Sequence, residues 1–305
     1  MKKLGILMIR GSGSPGFEEQ DKFVELLFKA LDKQGMRNPE NVIATQVVNW
    51  YGSLEERQQE LIRRMENSDL KIKGKILRRF LLSNITDLIN YGGRPNQVST
   101  TYDDTHKLVY RDIKKLQDQV EEGAPLLILA SSMGTEIINN HIWDRQNFMV
   151  KNPGQQDPIG QTAFERMETL VGLFTFGNNI PIFATAFPID DLQPIAMPAS
   201  GLSDQLKSIS KWYNFYDKND PLGYPVTFVN QNYKRSYIED VQQNVGNIFT
   251  FWNIASHFEY WKSRKICQRV CAYVLKVFNN LGDQSTSGSG TNAQNPPNTT
   301  GSGPT

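Results

Sequence analysis

Few residues in this chain have the types and spacing that chemistry needs. The sharpest pattern is Leu-Ile-Leu-Ala-Ser-Ser-Met-Gly-Thr-Glu, residues 127–136. An apolar, strand-like run over 125–130 ends at Ala130, and helical spacing begins near Met133. Ser132 therefore sits on a sharp strand-to-helix turn, with Ala130 and Gly134 two positions to either side. Larger side chains there would collide with the strand or the helix. The turn holds a hydroxyl clear of the backbone, beside a helix N-terminus whose partial positive charge favours a developing oxyanion. Ser131 is the poorer nucleophile, because Leu129 and Met133 would then crowd the turn.

This segment resembles the nucleophile elbow of the α/β-hydrolase family, Gly-x-Ser-x-Gly, with Ala130 in place of the first glycine. The resemblance implies an acid and then a histidine, in that chain order. After a strand-like run over 212–216 comes Asp217-Lys218-Asn219-Asp220-Pro221-Leu222. Asp220, with Pro221 and Leu222, best matches the family's acid turn. Asp217 is the alternative, and both could simply be turn-forming aspartates that bond their own backbone. Three histidines compete for the base. His141 lies about 13 Å along the helix that follows Ser132, too far to touch the hydroxyl. His106 precedes the serine and reads as starting a helix, where it would cap or pack. His257, between the last expected strand and a closing helix, can swing over the carboxyl ends of the strands. The resemblance then implies that Ser132 attacks a carbonyl, His257 relays the proton, and Asp220 fixes the imidazole. The backbone N–H of Met133, with that of Gly11 or Ser12, would hold the oxyanion. Arg10 stands where the family often has histidine. Gly11-Ser12-Gly13 could alternatively cradle a phosphate, but it lacks the third glycine of a dinucleotide fingerprint and the Lys-Ser/Thr of a P-loop.

The elements that must position these residues alternate along the chain. Leu4 to Ile9 reads as a buried strand, followed by a Gly-rich turn. Phe23, Val24, Leu27 and Leu31 return at helical spacing between Phe17 and Gln34, and Gly35 stops that helix. Val42 to Trp50 is again strand-like. Further strands are expected over 125–130, 170–176, 212–216 and 247–252. A closing helix is expected from Phe258 to Leu281. About six strands alternating with helices predict a mostly parallel α/β sheet covered on both faces, the α/β-hydrolase fold by resemblance. Set against the family, the chain begins at the strand bearing the oxyanion loop, as a compact member would.

The segment 52–100 reads as a helical insertion in a domain spanning 1–281. Ser53 and Glu56 form a capping box. Ile76, Leu77, Phe80, Leu81, Ile85, Leu88 and Ile89 form an amphipathic stripe, preceded by a basic run from Lys71 to Arg79. It could be a plain helical layer, a cap over the Ser132 cleft, or a helix attracted to a membrane surface. Residues 282–305, rich in Gly, Ser, Thr, Asn and Pro, read as a disordered tail.

With 33 Lys and Arg against 32 Asp and Glu, a net charge of +1 argues against a nucleic-acid partner. Two cysteines exclude a disulfide framework, and with three histidines they argue against a zinc site. Cys267 and Cys271, four apart, read as small core residues. No run reaches 18 apolar residues, and the apolar stretch after Met1-Lys2-Lys3 is too short for a signal peptide, so a cytoplasmic protein is expected. The resemblance implies a lipase- or esterase-like serine hydrolase. It would need no cofactor or metal and would act on a small carboxylic ester or thioester. A non-catalytic binding scaffold and an acyltransferase are the alternatives.

Overall fold

A computed structural model describes residues 1–12, 17–50, 52–67, 78, 82, 91, 100–155, 159–245, 257 and 259–282. Six strands form one sheet: β1 (Leu4–Ile9), β2 (Ile43–Val48), β3 (Leu126–Ser131), β4 (Leu170–Phe176), β5 (Lys211–Tyr216) and β6 (Ile238–Gln242). Their order is β2-β1-β3-β4-β5-β6, and every neighbouring pair is parallel. The three central strands β1, β3 and β4 are buried along their whole length. That is why they read as unbroken apolar runs rather than alternating ones.

Helices cover both faces. They are α1 (Glu18–Lys33), α2 (Gly52–Glu66), α3 (Thr100–Gln117), α4 (Met133–Lys151), α5 (Ile180–Ala184), α6 (Asp204–Ile209) and α7 (Arg264–Gly282). Two strand glycines identify which helices lie on which side. A Cβ on Gly5 would meet Phe164 and Leu116 of α3, whereas one on Gly172 would meet Tyr273 of α7. Gly5 pairs with Leu126, while Gly172 pairs with the next residue, Leu127. Successive strand residues point to opposite faces, so α3 and α7 lie on opposite sides of the sheet. The helix α3 packs on β1 and β2, α4 packs on α3 and β3, and α1 and α6 pack on α7.

Several boundaries differ from those read in the sequence. β6 was not anticipated, because its sequence Ile-Glu-Asp-Val-Gln lacks an apolar run. Its Asp240 is satisfied by the backbone N–H groups of Val226 and Thr227 and by the Asn214 amide. Those partners lie 13 to 26 positions away, so no local pattern announces them. The strand expected over 247–252 lies outside the described residues. The closing helix begins at Arg264 rather than Phe258, and Tyr260 and Trp261 sit in a preceding 3₁₀ turn, Tyr260–Lys262. The helix α2 begins one residue ahead of Ser53, so the expected cap residue falls inside the first turn. The apolar stripe Ile76–Ile89, the basic run apart from Arg78, and the tail beyond residue 282 lie outside the described residues.

Candidate active site

The sheet grows from β1 to β2 in one direction, then continues from β1 to β3 in the other. Beyond the carboxyl ends of β1 and β3, the following loops must diverge, which leaves a crevice. Two segments meet there: Arg10–Ser12 after β1 and the strand-to-helix turn after β3.

Ser132 links β3 to α4 with φ 52° and ψ −129°. This is a left-handed backbone that an L-residue rarely adopts, and such positions cost on the order of 1–3 kcal/mol. Surrounding hydrogen bonds hold it there. The Ser132 N–H donates to the Phe176 carbonyl at 2.9 Å, and the Thr135 N–H and Oγ1 donate to the Ser132 carbonyl at 2.9 and 2.6 Å. The small neighbours have identifiable causes. A Cβ on Gly134 would lie 2.7 Å from the Arg10 carbonyl and 2.8 Å from that of Ile9, so only glycine lets α4 start against the end of β1. A Cβ on Gly11 would run into the Ser132 Cβ, so the β1 turn can lie directly over the serine only without a side chain.

The Ser132 hydroxyl does not cap α4. It lies 2.6 Å from Nε2 of His257, and His257 Nδ1 lies 2.8 Å from Oδ2 of Asp220. All three residues are buried. Asp220 Oδ1 accepts the Leu222 N–H at 3.0 Å, and Oδ2 also accepts the Tyr260 hydroxyl at 2.9 Å. Burial alone would raise the Asp220 carboxyl. The hydrogen bonds and charge of His257, with the Leu222 N–H and Tyr260, outweigh it and hold the carboxyl below its ordinary value. Burial and Asp220 push the Tyr260 hydroxyl upward, so it stays protonated and donates. An ionised Asp220 puts the imidazole proton on Nδ1, which leaves Nε2 free to accept from Ser132. Gly177, at φ 55°, ends β4 against this ring. A Cβ there would lie 2.9 Å from His257 Cε1.

Asp217 sits in the same turn with a different set of contacts. Its Oδ1 accepts the Asn219 N–H at 2.9 Å and its Oδ2 accepts the Val245 N–H at 2.8 Å. It therefore bonds backbone, while Asp220 bonds the imidazole. Ser131 is also occupied. Its Oγ accepts the Trp261 indole N–H at 2.8 Å and the Gly11 N–H at 3.1 Å. Ser131 thus ties the β1 turn and the 3₁₀ turn to the end of β3. The Gly11 amide is thus engaged by Ser131, and Ser12 lines the same recess as Ser132. Met133 is the first helical residue, and its N–H has no acceptor within the helix.

The other histidines lie elsewhere. His106 is inside α3, not at its start as the sequence suggested. Its Nε2 is 3.0 Å from the Tyr91 hydroxyl and its Nδ1 is 3.2 Å from Nδ1 of His141, on α4. Burial lowers His106 to about 3 and His141 well below its usual value, so both stay neutral and join the two helices. Cys267 and Cys271 are free and buried on α7, and burial pushes the Cys267 thiol up to about 12. Tyr260 and Trp261, which brace Asp220 and Ser131, lie in the segment expected to open the closing helix. Their polar atoms carry no sequence signal.

Among the described residues, no cluster of three His, Cys, Asp or Glu side chains could hold a metal ion. No helix among them is long and apolar enough to cross a membrane. A histidine between a carboxylate and a hydroxyl, all withdrawn from water, can take the serine proton during attack on an electrophilic carbon. Neither a protein-family model nor a curated protein nor a solved structure matches this chain.

Proposed function

We propose that this chain is a serine hydrolase of the α/β-hydrolase fold that cleaves a carboxylic ester or thioester through an acyl-enzyme. The observation that carries this reading is the continuous hydrogen-bonded chain Asp220–His257–Ser132 at the β1/β3 crevice. The chain order also supports it, with the serine after β3, the acid after β5 and the histidine after β6. The strained backbone at Ser132 supports it further, because strain of this kind is kept where a side chain must be aimed.

In this mechanism Ser132 Oγ attacks the carbonyl carbon while His257 Nε2 takes its proton. The carbonyl electron pair moves onto oxygen, facing the amides of Met133 and Ser12. Collapse reforms the carbonyl and expels the alkoxide or thiolate, which receives the proton from His257. Water then repeats the sequence, and the acid leaves. Asp220 holds the tautomer and stabilises the imidazolium throughout. The test is covalent labelling with a fluorophosphonate, together with turnover of p-nitrophenyl butyrate. Label on Ser132, with at least about a 10³-fold loss of turnover in Ser132→Ala, is the expected result. Wild-type turnover in a folded Ser132→Ala variant overturns the reading.

A further inference from the structure

Three polar side chains stand side by side on neighbouring strands. Thr175 on β4 pairs in register with Asn214 on β5, and Asn214 pairs with Asp240 on β6. Paired positions on parallel strands share a face, so the three form one row across the sheet. The next position in the row, on β3, is Ala130, two residues before Ser132. Thr175 and Asn214 are wholly buried, as is Asn178 in the loop after β4. Apolar side chains would need no partners there, whereas buried polar groups each need one. The hydrogen bonds that satisfy them run one way. Asp240 only accepts: from the Val226 and Thr227 N–H groups and, at 2.6 Å, from Asn214 Nδ2. Asn214 gives its other amide hydrogen to the Tyr224 carbonyl at 2.9 Å, so its Oδ1 faces Thr175, whose hydroxyl donates at 2.7 Å. With its proton committed, Thr175 Oγ1 accepts from Trp212 Nε1 at 2.9 Å and from Asn178 Nδ2 at 3.3 Å. Asn178 Oδ1 then accepts the Ile180 N–H at 2.8 Å and lies 3.2 Å from Thr135 Oγ1.

We propose that Thr175 is a positioning residue for the nucleophile: it fixes the direction of this row, so that the turn after β4 holds Ser132 in its left-handed backbone. This inference rests on the Ser132 reading. The turn reaches the site at three points. The Phe176 carbonyl, next to Thr175, accepts the Ser132 N–H. Asn178 Oδ1 and the Asn179 N–H flank Thr135 Oγ1, which donates to the Ser132 carbonyl at 2.6 Å. Gly177 lies against the His257 ring. A carboxylate that only accepts, at the far end, leaves each amide one orientation, because a flipped amide would set donor against donor. Thr175 is the link that passes this direction from the sheet to the turn. It does not line the recess around Ser132, so it acts on the serine and histidine only through their supports. Misplacing a reacting group by about 1 Å costs on the order of 10²-fold in rate, and this sets the scale of what such supports control.

The experiment compares Thr175→Val, Thr175→Ser, Gly172→Ala and Ser132→Ala with wild type on p-nitrophenyl butyrate. Thermal melting is the folding control, and the rate of fluorophosphonate labelling is a second readout. Thr175→Val keeps the shape and removes the hydroxyl. A misaimed nucleophile predicts a fall of roughly 10–10²-fold in kcat and in labelling rate, with KM little changed. Thr175→Ser, which keeps the hydroxyl, should hold both near wild type. Gly172→Ala, on the same strand but outside the row, should lower the melting temperature without that loss. Wild-type kcat in Thr175→Val with Ser132→Ala inactive overturns this inference and leaves the triad standing. Equal losses in the valine and serine variants also overturn it, as does a matching loss in Gly172→Ala, because strand packing and not the hydroxyl would then be at stake. If Thr175→Val does not fold, Thr135→Val and Thr135→Ser make the same test at the Ser132 end of the relay. There a kcat loss confined to the valine variant supports the inference, and any other pattern overturns it. Activity in Ser132→Ala instead removes the reading beneath it.

Discussion

At the scale of single residues, two aspartates three positions apart do different work. Asp220 holds His257, so Asp220→Asn should lower kcat by on the order of 10³–10⁴-fold with little change in melting temperature. Asp217 accepts backbone N–H groups on both of its oxygens. Asp217→Asn should therefore leave kcat within a few-fold but cost about 1–3 kcal/mol of stability in urea unfolding. A reversed ranking would transfer the acid's role. Gly11 supplies a second residue-level test. Gly11→Ala drives a methyl group into Ser132 Cβ, so fluorophosphonate labelling should be lost while far-ultraviolet dichroism stays native. Normal labelling would mean that the β1 turn does not lie against the serine.

The interface between α3 and α4 encloses titratable groups with opposite demands. His106 and His141 are held neutral by burial, His106 down to about 3. Unfolded histidines protonate near 6.5, so the unfolded state binds more protons below that pH, and the pair loses stability as pH falls from about 6.5 toward 3. Glu136, on the same helix as His141, is raised to about 7 by burial, partly offset by the Asn140 amide. Its folded form binds the extra proton, so its contribution is complete below about 4.5 and is lost as pH rises through 7. Between pH 4.5 and 6.5 the two effects oppose each other. Glu136→Gln should therefore steepen the loss of stability on acidification, and His141→Asn should flatten it. Urea midpoints measured from pH 4 to 8 check both signs. Identical slopes in wild type and both variants would show that these groups are not buried together at this interface.

On the scale of the whole molecule, tight packing is found well away from the candidate site. The face of the sheet against α7 is tightly packed at Gly172. A Cβ on Gly172 would lie 2.5 Å from the Tyr273 ring and 2.8 Å from Leu127. Tyr273 in turn donates to the Val171 carbonyl at 2.7 Å. Gly172→Ala should cost about 1–3 kcal/mol by overpacking, which is seen as a lower melting temperature. Gly172 lies near the amino end of β4 and the crevice at the carboxyl ends of the strands, so kcat below the melting transition should be unchanged. A kcat loss as large as that of Asp220→Asn would mean that the two regions are coupled.

Much of this arrangement was legible in the sequence, because it rests on signals within a few residues. The apolar runs of β1, β3 and β4 mark buried parallel strands, and small residues two positions either side of Ser132 mark a sharp turn. The order serine, aspartate, histidine narrowed the candidates. Other features depend on contacts between distant segments. The Ser132–His257 bond joins residues 125 positions apart, and that between Trp261 and Ser131 joins residues 130 apart. Whether Asp217 or Asp220 meets the imidazole depends on backbone directions within one turn, which side-chain types leave open. β6 carries no local signal because its Asp240 is satisfied by residues from elsewhere in the chain. The adjacency of β1 and β3, which creates the crevice, is a property of strand order, and periodicity along one strand carries no record of its neighbour. Local spacing determined which residues could react. Only the packing of the sheet decided which of them touch, because hydrogen bonds and van der Waals contacts act over ångströms in space and not over positions in the chain.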